Sequence, residues 1–529
     1  MSDTIKIKNN KKLLQKIVLL FGIIATIFSC SKDKGNYDYT DLDLVTINVD
    51  GLPTEYSLLQ FDSLKIKPEI TYKGQKVNLD KPQFEELAFS WEMYPGRINP
   101  AVNERHLIDS TAALNTQIKL RQLIWELVFT VTNKKTGVKA FAKFGVAVTP
   151  ALAEGWMVLY ERNGNTDVGL IKTNDISKTQ TKEEVFLDIY AASNNAPIPG
   201  LPGSLVFSLA NLTGTMRIYI QTSKTAVSVD LGTFRKIISF DDGIFWTKPA
   251  VTAPAKVAAT DSRKELMINN NKLHVLDYTV IAPGDRAFYD GLGGTYGTLA
   301  PWVATSTSAA FDAIVYDQTN KKFLKVALRG AEIVPIATAQ SVTAPFNVSN
   351  VGMEFLMADL GWNNWEHMVM KDNEGKHFLL TANFKEGETP VIGKGKYDMS
   401  NCPEITAINS VTAGFYGEIF YYSANNHLYQ FKYTPGTTGL LWTAPTGEVV
   451  TNITLQKSYN SNRAAGVLFD PKNLCKFLYV ATYNETTKIG SVYQMEVNTS
   501  SGAIIAGTEK KFTGFGKIKA MSWKAYIIR

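Results

Sequence analysis

Seven times between residues 156 and 494 the chain repeats one pattern: an apolar run, a polar turn and a second apolar run. The pairs are WMVLY (156–160) with DVGLI (167–171), RIYI (217–220) with AVSV (226–229), and LMI (266–268) with LHVL (273–276). AIVY (313–316) follows with FLKV (323–326), then HMVM (367–370) with HFLL (377–380). IFYY (419–422) with HLYQF (427–431) and FLYV (477–480) with GSVYQ (490–494) complete the series. From Val158 through Ile218, Met267, Ile314, Met368 and Phe420 to Tyr479 the steps are 60, 49, 47, 54, 52 and 59 residues. Each step has room for one four-stranded sheet of a propeller, whose repeats run about 40–50 residues. A lone hairpin cannot bury its faces in water. Radial stacking covers both faces and leaves only short edges. The pattern therefore predicts a β-propeller-like domain over residues 151–529 with seven blades. The first hairpin starts almost at the domain boundary, with no inner strand before it. IKAMSW (518–523) is the predicted strand that closes the ring. The rival arrangement is two β-sandwiches in series.

Residues 41–150 are predicted to form a separate immunoglobulin-like sandwich. LAFSWEM (87–93), LVFTVT (127–132) and FGVAV (144–148) alternate apolar and polar residues, as half-buried strands do. NKKTG (133–137) breaks the pattern as a turn, and Pro150 closes it. Several short alternating strands over about 100 residues fit a sandwich, with Trp91 packed between its sheets. The whole chain is thus read as all-β.

The first 29 residues read differently. Lys6, Lys8, Lys11, Lys12 and Lys16 precede twelve uncharged residues, IVLLFGIIATIF (17–28). That run is too short to span a bilayer, which takes about 20 residues. It suits a signal peptide. IFSC (27–30) resembles a bacterial lipobox, in which the cysteine becomes the first residue and carries acyl chains. Cys30 is the predicted lipidation site, residues 1–29 the leader and 30–40 a polar tether. Each buried acyl methylene contributes about 0.8 kcal/mol to such an anchor.

Charge narrows the partners. The formal net charge is +6, but the segment before Cys30 holds five lysines and Asp3, a net of +4, which leaves +2 for the rest. There is no basic stripe of the kind nucleic-acid binders carry, and no nucleic-acid partner is expected. Cys402 and Cys475 are the other two cysteines; they could pair in an oxidising compartment, the alternative to reading them as two small buried thiols. The five histidines form no close ligand pair such as H-E-x-x-H. No metal and no cofactor is predicted.

Three loops are candidates for ligand contact. FYDGLGGTYGTLAPW (288–302) holds four glycines and four aromatics. Glycine permits close backbone approach, and aromatic rings offer flat apolar faces with polar edges on Tyr and Trp. Tyr289, Asp290, Tyr296 and Trp302 are its candidate binding residues, placed on the mouth of the propeller; a structural loop between blades is the alternative. DLGWNNWEH (359–367) contributes Trp362 and Trp365, which would otherwise be core anchors. DDGIFW (241–246) contributes Trp246, and its two adjacent carboxylates fall far short of a calcium site. Glu161, Asp290, Glu366 and Glu418 are scattered over different repeats, and the paired carboxylates of a glycosidase cannot be located from them. No G-x-S-x-G elbow is present. No catalytic residue is assigned and the protein is read as a non-enzyme.

In sequence, the lipobox precedes KGNYDY (34–39), which is followed by FSWEMYPG (89–96) on a tryptophan strand and then the repeats. This order resembles the PKD-like family lipoproteins of Bacteroidetes. The resemblance implies a lipid-anchored outer-membrane protein facing the cell exterior, an accessory to a SusC/SusD-type TonB-dependent importer that binds a glycan or peptide nutrient. A propeller-type polysaccharide hydrolase or lyase, and a protein-binding scaffold of the importer, are the alternatives.

Overall fold

In the computed structural model the residues described are 43–96, 104–120, 123–149, 152, 154–175, 183–208, 217–260, 263–278, 287–304, 311–336, 343–385, 391–457 and 475–524. The leader, Cys30 and the tether lie outside them. The chain divides into two compact units between Val148 and Thr149.

In the first unit, a five-stranded sheet runs in the order Glu55–Leu59, Lys139–Thr149, Leu123–Asn133, Leu87–Pro95, His106–Asp109. A three-stranded sheet (Val45–Asn48, Glu69–Tyr72, Gln75–Lys76) and the pair Ser63–Ile66 with Leu114–Gln117 complete it. The three alternating segments read from the sequence are its central strands. Trp91 is fully buried and stacks on Phe129 at 4.1 Å. Its indole N–H donates to the Thr111 carbonyl at 2.9 Å, so the burial leaves no polar group unpaired.

The second unit contains seven sheets among the described residues. Blade 1 runs Lys517–Lys524, Gly155–Arg162, Asn165–Lys172, Glu184–Phe186. Blade 2 runs Pro202–Ser208, Arg217–Thr222, Ala226–Val229, Lys236–Ser239. Blade 3 has three strands, Pro254–Ala259, Lys264–Asn269 and Lys272–Asp277. Blade 4 runs Leu299–Val303, Phe311–Asp317, Lys322–Ala327, Val334–Pro335. Blade 5 runs Glu354–Leu360, Glu366–Lys371, His377–Ala382, Gly393–Asp398. Blade 6 runs Ile408–Ala413, Ile419–Ala424, His427–Lys432, Thr437–Thr443. Blade 7 runs Glu448–Leu455, Phe477–Asn484, Ile489–Glu496, Lys510–Phe515.

The seven hairpins of the sequence are the second and third strands of these blades. Phe311–Asp317 is buried along its whole length. Neighbouring blades cover both of its faces, so it reads as a continuous apolar run rather than an alternating one. Tight turns join the pairs: Asn163 and Gly164, and Asn270 and Asn271, have positive φ, the geometry that matches the twist of a hairpin.

First strands of successive blades touch in unbroken order, and Lys517–Lys524 touches the first strands of blades 7 and 2. The ring is thereby closed. The closing strand pairs antiparallel with Gly155–Arg162, placing Trp523 opposite Trp156 and Met521 opposite Val158. First strands are not hydrogen-bonded as ladders to one another, so side chains knit them. The Ser410 hydroxyl accepts from the Ile453 amide at 3.0 Å, and Thr412 Oγ1 accepts from the Leu455 amide at 3.1 Å. Aromatic packing fills the spaces between blades, as where Trp156 of blade 1 stacks on Tyr479 of blade 7 at 4.0 Å. Cys402 and Cys475 are buried free thiols, each pushed up to about 11 by burial. Among the described residues no helix is long and apolar enough to cross a membrane.

Candidate functional site

Two of the three candidate loops meet. Past the outer strand of blade 2 the chain turns sharply: the Ser239 amide donates to the Asp242 carbonyl at 2.7 Å, and Gly243 has φ +81°. The turn sends Ile244 and Phe245 into the core and leaves Trp246 outside, 55% exposed. Phe245 then pairs in parallel with Phe288 of the glycine-rich loop. The Phe288 amide donates to the Ile244 carbonyl at 2.8 Å, and the Trp246 amide to the Phe288 carbonyl at 3.1 Å. One position beyond this bridge, Tyr289 is 44% exposed and Asp290 is exposed. Trp246 and Tyr289 therefore stand side by side, next to the floor of buried Phe240, Phe245 and Phe288, with Asp290 following in the chain.

The glycine-rich loop takes the place of a fourth strand in blade 3. The Tyr289 amide donates to the Val275 carbonyl at 3.1 Å and the Leu292 amide to the Leu273 carbonyl at 2.9 Å. On its other side the Gly293 amide donates to the Ala331 carbonyl at 3.0 Å, beside blade 4. Gly294 has φ +114°, and a Cβ there would lie 2.2 Å from the Ile333 carbonyl oxygen. Only glycine fits. Bonded to the outermost strand of blade 3, this segment lies on the outer rim of the ring and not at its mouth.

His274 holds the loop from beneath. It is 4% exposed, edge-on to Phe245 at 4.9 Å, with Nδ1 2.9 Å from the Tyr289 carbonyl oxygen. The carbonyl only accepts, so Nδ1 carries the proton. Burial lowers the imidazole pKa, which keeps the ring neutral at pH 7. Nothing in the local sequence around His274 signals this role, because its partner lies 15 residues on in the chain.

The other candidates have different places. Tyr296 is half-buried, packed on the core of blades 3 and 4, with the Lys272 ammonium 5.6 Å from its ring centre. Trp302 is a correction: it is buried on the first strand of blade 4, 5.2 Å from Phe355 and 5.9 Å from Phe323, and cannot meet a ligand. Trp362 and Trp365 are half-buried in a turn between the first two strands of blade 5, away from the rim pair. The Trp365 carbonyl accepts from the Gly361 amide and lies 2.9 Å from His367 Nδ1. His367 is fully buried and its Nε2 lies 3.1 Å from the Tyr433 hydroxyl; burial pulls its pKa down to about 4. Asp241 pairs with Lys248 at 2.6 Å.

One carboxylate that the sequence reading did not single out is conspicuous in three dimensions. Asp359 Oδ2, on blade 5, accepts from the Thr412 hydroxyl at 2.7 Å and the Ala413 amide at 2.9 Å, both on blade 6. It also pairs with the ammonium of Lys457, just past the first strand of blade 7. The Lys457 side chain is wholly buried and donates to the Leu360 carbonyl at 2.7 Å as well. This group ties three blades together. Among the described residues no three His, Cys, Asp or Glu side chains are grouped to hold a metal ion.

Fold and site together define an all-β chain in which a sandwich precedes a seven-bladed ring with an aromatic pair on its rim. Residues 30–202 match the PKD-like family. No curated protein matches the sequence. Among solved structures, a quinonprotein alcohol dehydrogenase-like protein from Bacteroides thetaiotaomicron is 13% identical, over 90% of this chain and 98% of that one, with a TM-score of 0.37. PorZ, a bacterial surface component of the type-IX secretion system of Porphyromonas gingivalis, is 12% identical over 72% of this chain and 50% of that one (TM-score 0.33). The WD40 domain of SCAP from fission yeast is 9% identical over 59% and 74% (TM-score 0.31).

Proposed function

We propose that this protein is a non-enzymatic capture module for a nutrient glycan or peptide, displayed on the outer membrane through acyl chains on Cys30 and serving a SusC/SusD-type importer. The observation that carries the reading is the adjacent exposure of Trp246 and Tyr289 beside Asp290. Two exposed rings side by side on a rigid floor offer a ready contact face. A sugar ring or an apolar side chain stacks on such faces, while a carboxylate accepts from hydroxyl or amide donors and sets orientation. Asp359 itself, with Oδ2 committed to a hydroxyl, an amide and an ammonium, is poorly placed to act as acid, base or nucleophile.

Affinity electrophoresis through gels containing different polysaccharides, run beside pull-down of the importer pair, tests this. Wild-type protein should be retarded by at least one glycan, or retained by the importer, and Trp246→Ala should lose the glycan retardation. Absence of both glycan or peptide binding and importer binding would defeat the proposal.

A further inference from the structure

Among the described residues, six of the seven blades end in a fourth strand with no strand beside its outer edge. Such an edge offers unpaired amides and carbonyls to any other extended chain, and folded proteins blunt it with charge, proline or shortness. Five of the six do so. Blade 1 ends in three residues, Glu184–Phe186, and blade 4 in two, Val334–Pro335. Blade 2 ends in four residues that begin with Lys236. Blade 5 ends in Gly393–Asp398, which carries Lys394, Lys396 and Asp398, and blade 7 in Lys510–Phe515, which carries Lys510 and Lys511. In blade 3 the glycine-rich loop bonds to the outermost strand instead.

Blade 6 is different. Its outermost strand, Thr437–Thr443, is the longest of the six at seven residues, and its sequence, TTGLLWT, has no charge and no proline. Thr437, Thr438, Gly439 and Leu440 are all exposed, Leu440 by 56%. A Cβ on Gly439 would have nothing within 4 Å, so the space beside the strand is open. Its pairing with the third strand passes over Leu441. The outer strands of blades 2, 5 and 7 carry similar register shifts, so this does not set blade 6 apart. The absence of charge does.

We propose that the open edge of blade 6 pairs antiparallel with the same edge of a second copy of this chain, about a two-fold axis at Leu440, so that the two sheets become one. Charge selects a copy as the occupant. In a two-fold interface the same patch meets itself, and like charges placed opposite one another in a sheet are destabilising. On self-pairing, the edges of blades 5 and 7 would crowd ammonium groups together; TTGLLWT meets itself with none. Pairing at Leu440 also takes the two exposed leucines out of water. This edge is separate from the rim pair on blades 2 and 3, and the inference does not rest on the capture reading.

Sedimentation velocity of the full chain from about 1 to 300 µM tests the pairing. A seven-residue ladder is small beside stable interfaces, which bury about 1,200–2,000 Å², so a reversible dimer is expected within that range. Leu440→Lys sets two ammonium groups against each other across the axis and should raise the dimer dissociation constant by about tenfold or more, whereas Trp246→Ala should leave it unchanged. With no ion pair in the ladder, the dimer should persist unchanged between about 0.05 and 0.5 M NaCl. Copper-catalysed oxidation of Leu440→Cys should give a covalent dimer beyond any that wild type forms, because directly opposed residues lie about 4.5–5.5 Å apart at Cα, within reach of a disulfide. A chain that stays monomeric throughout, a dimer that Leu440→Lys leaves intact, or a dimer that Leu440→Cys does not cross-link overturns the proposal. Leu440 is exposed, so equal urea midpoints for the variants and wild type are expected and separate lost pairing from lost fold.

Discussion

Ending the chain at Gly516 removes the strand that closes the ring. Three side chains leave the core with it: Ile518, Met521 and Trp523, which are 1%, 7% and 8% exposed. Burying a large apolar side chain contributes about 1.5–3 kcal/mol, so together they account for about 5–9 kcal/mol. The deletion also strips the ladder from one edge of Gly155–Arg162 and removes Lys524, whose ammonium donates to the Leu231 carbonyl. A domain's whole stability is about 5–15 kcal/mol. The loss is thus comparable to everything that holds the second unit folded. Urea unfolding followed by far-UV circular dichroism should show most of the strand signal lost at low denaturant. The sandwich has its own core and serves as the internal reference. A peptide of residues 515–529 added in excess should restore part of the transition, since it supplies the missing edge. A truncated chain with the urea midpoint of wild type would show that the ring does not depend on this closure.

Two further outcomes follow from buried charge. His367 is held near pKa 4 in the fold against about 6.5 when unfolded; the unfolded chain therefore takes up a proton first, and stability falls as pH drops from about 6.5 toward 4. Between pH 7 and 5 this group removes about 2 kcal/mol, so urea midpoints measured across that range should fall more steeply for wild type than for His367→Gln; equal slopes would refute the assignment. Asp359→Ala strands the Lys457 ammonium in the interior and should cost about 3–5 kcal/mol, whereas Asp359→Ala/Lys457→Met should recover much of that; a single variant as stable as wild type in the same urea assay would contradict the tie between blades 5 and 7.

The second and third strands of every blade were legible because they are largely buried and each carries an apolar run. The first strands were not. PAKVAA (254–259) and INSVTA (408–413) mix small and polar residues; in the second, the Ser410 and Thr412 hydroxyls bond the next blade. The closing strand was an exception, found from the gap it fills rather than from its own pattern. Of the candidate residues, Trp246 and Tyr289 were correctly seen as aromatics in turn-rich loops, but their adjacency rests on a pairing between Phe245 and Phe288, 43 positions apart. No local rule reports such a pairing. Trp302 misled because a glycine-rich approach and a core strand run together without a break: the loop ends at Leu299, where blade 4 begins. Gly294 shows the close backbone approach that glycine permits, here the passage of one backbone past another.

All nine tryptophans are among the described residues, and Trp246 alone is an exposed one. Limited N-bromosuccinimide oxidation with peptide mapping therefore reads the rim directly. With a glycan or peptide that the protein retains, the account predicts that Trp246 is oxidised first in the free protein and shielded in the complex, with Tyr289→Ala abolishing the shielding. Ligand binding that leaves Trp246 oxidised at its free rate would place recognition elsewhere and contradict the account.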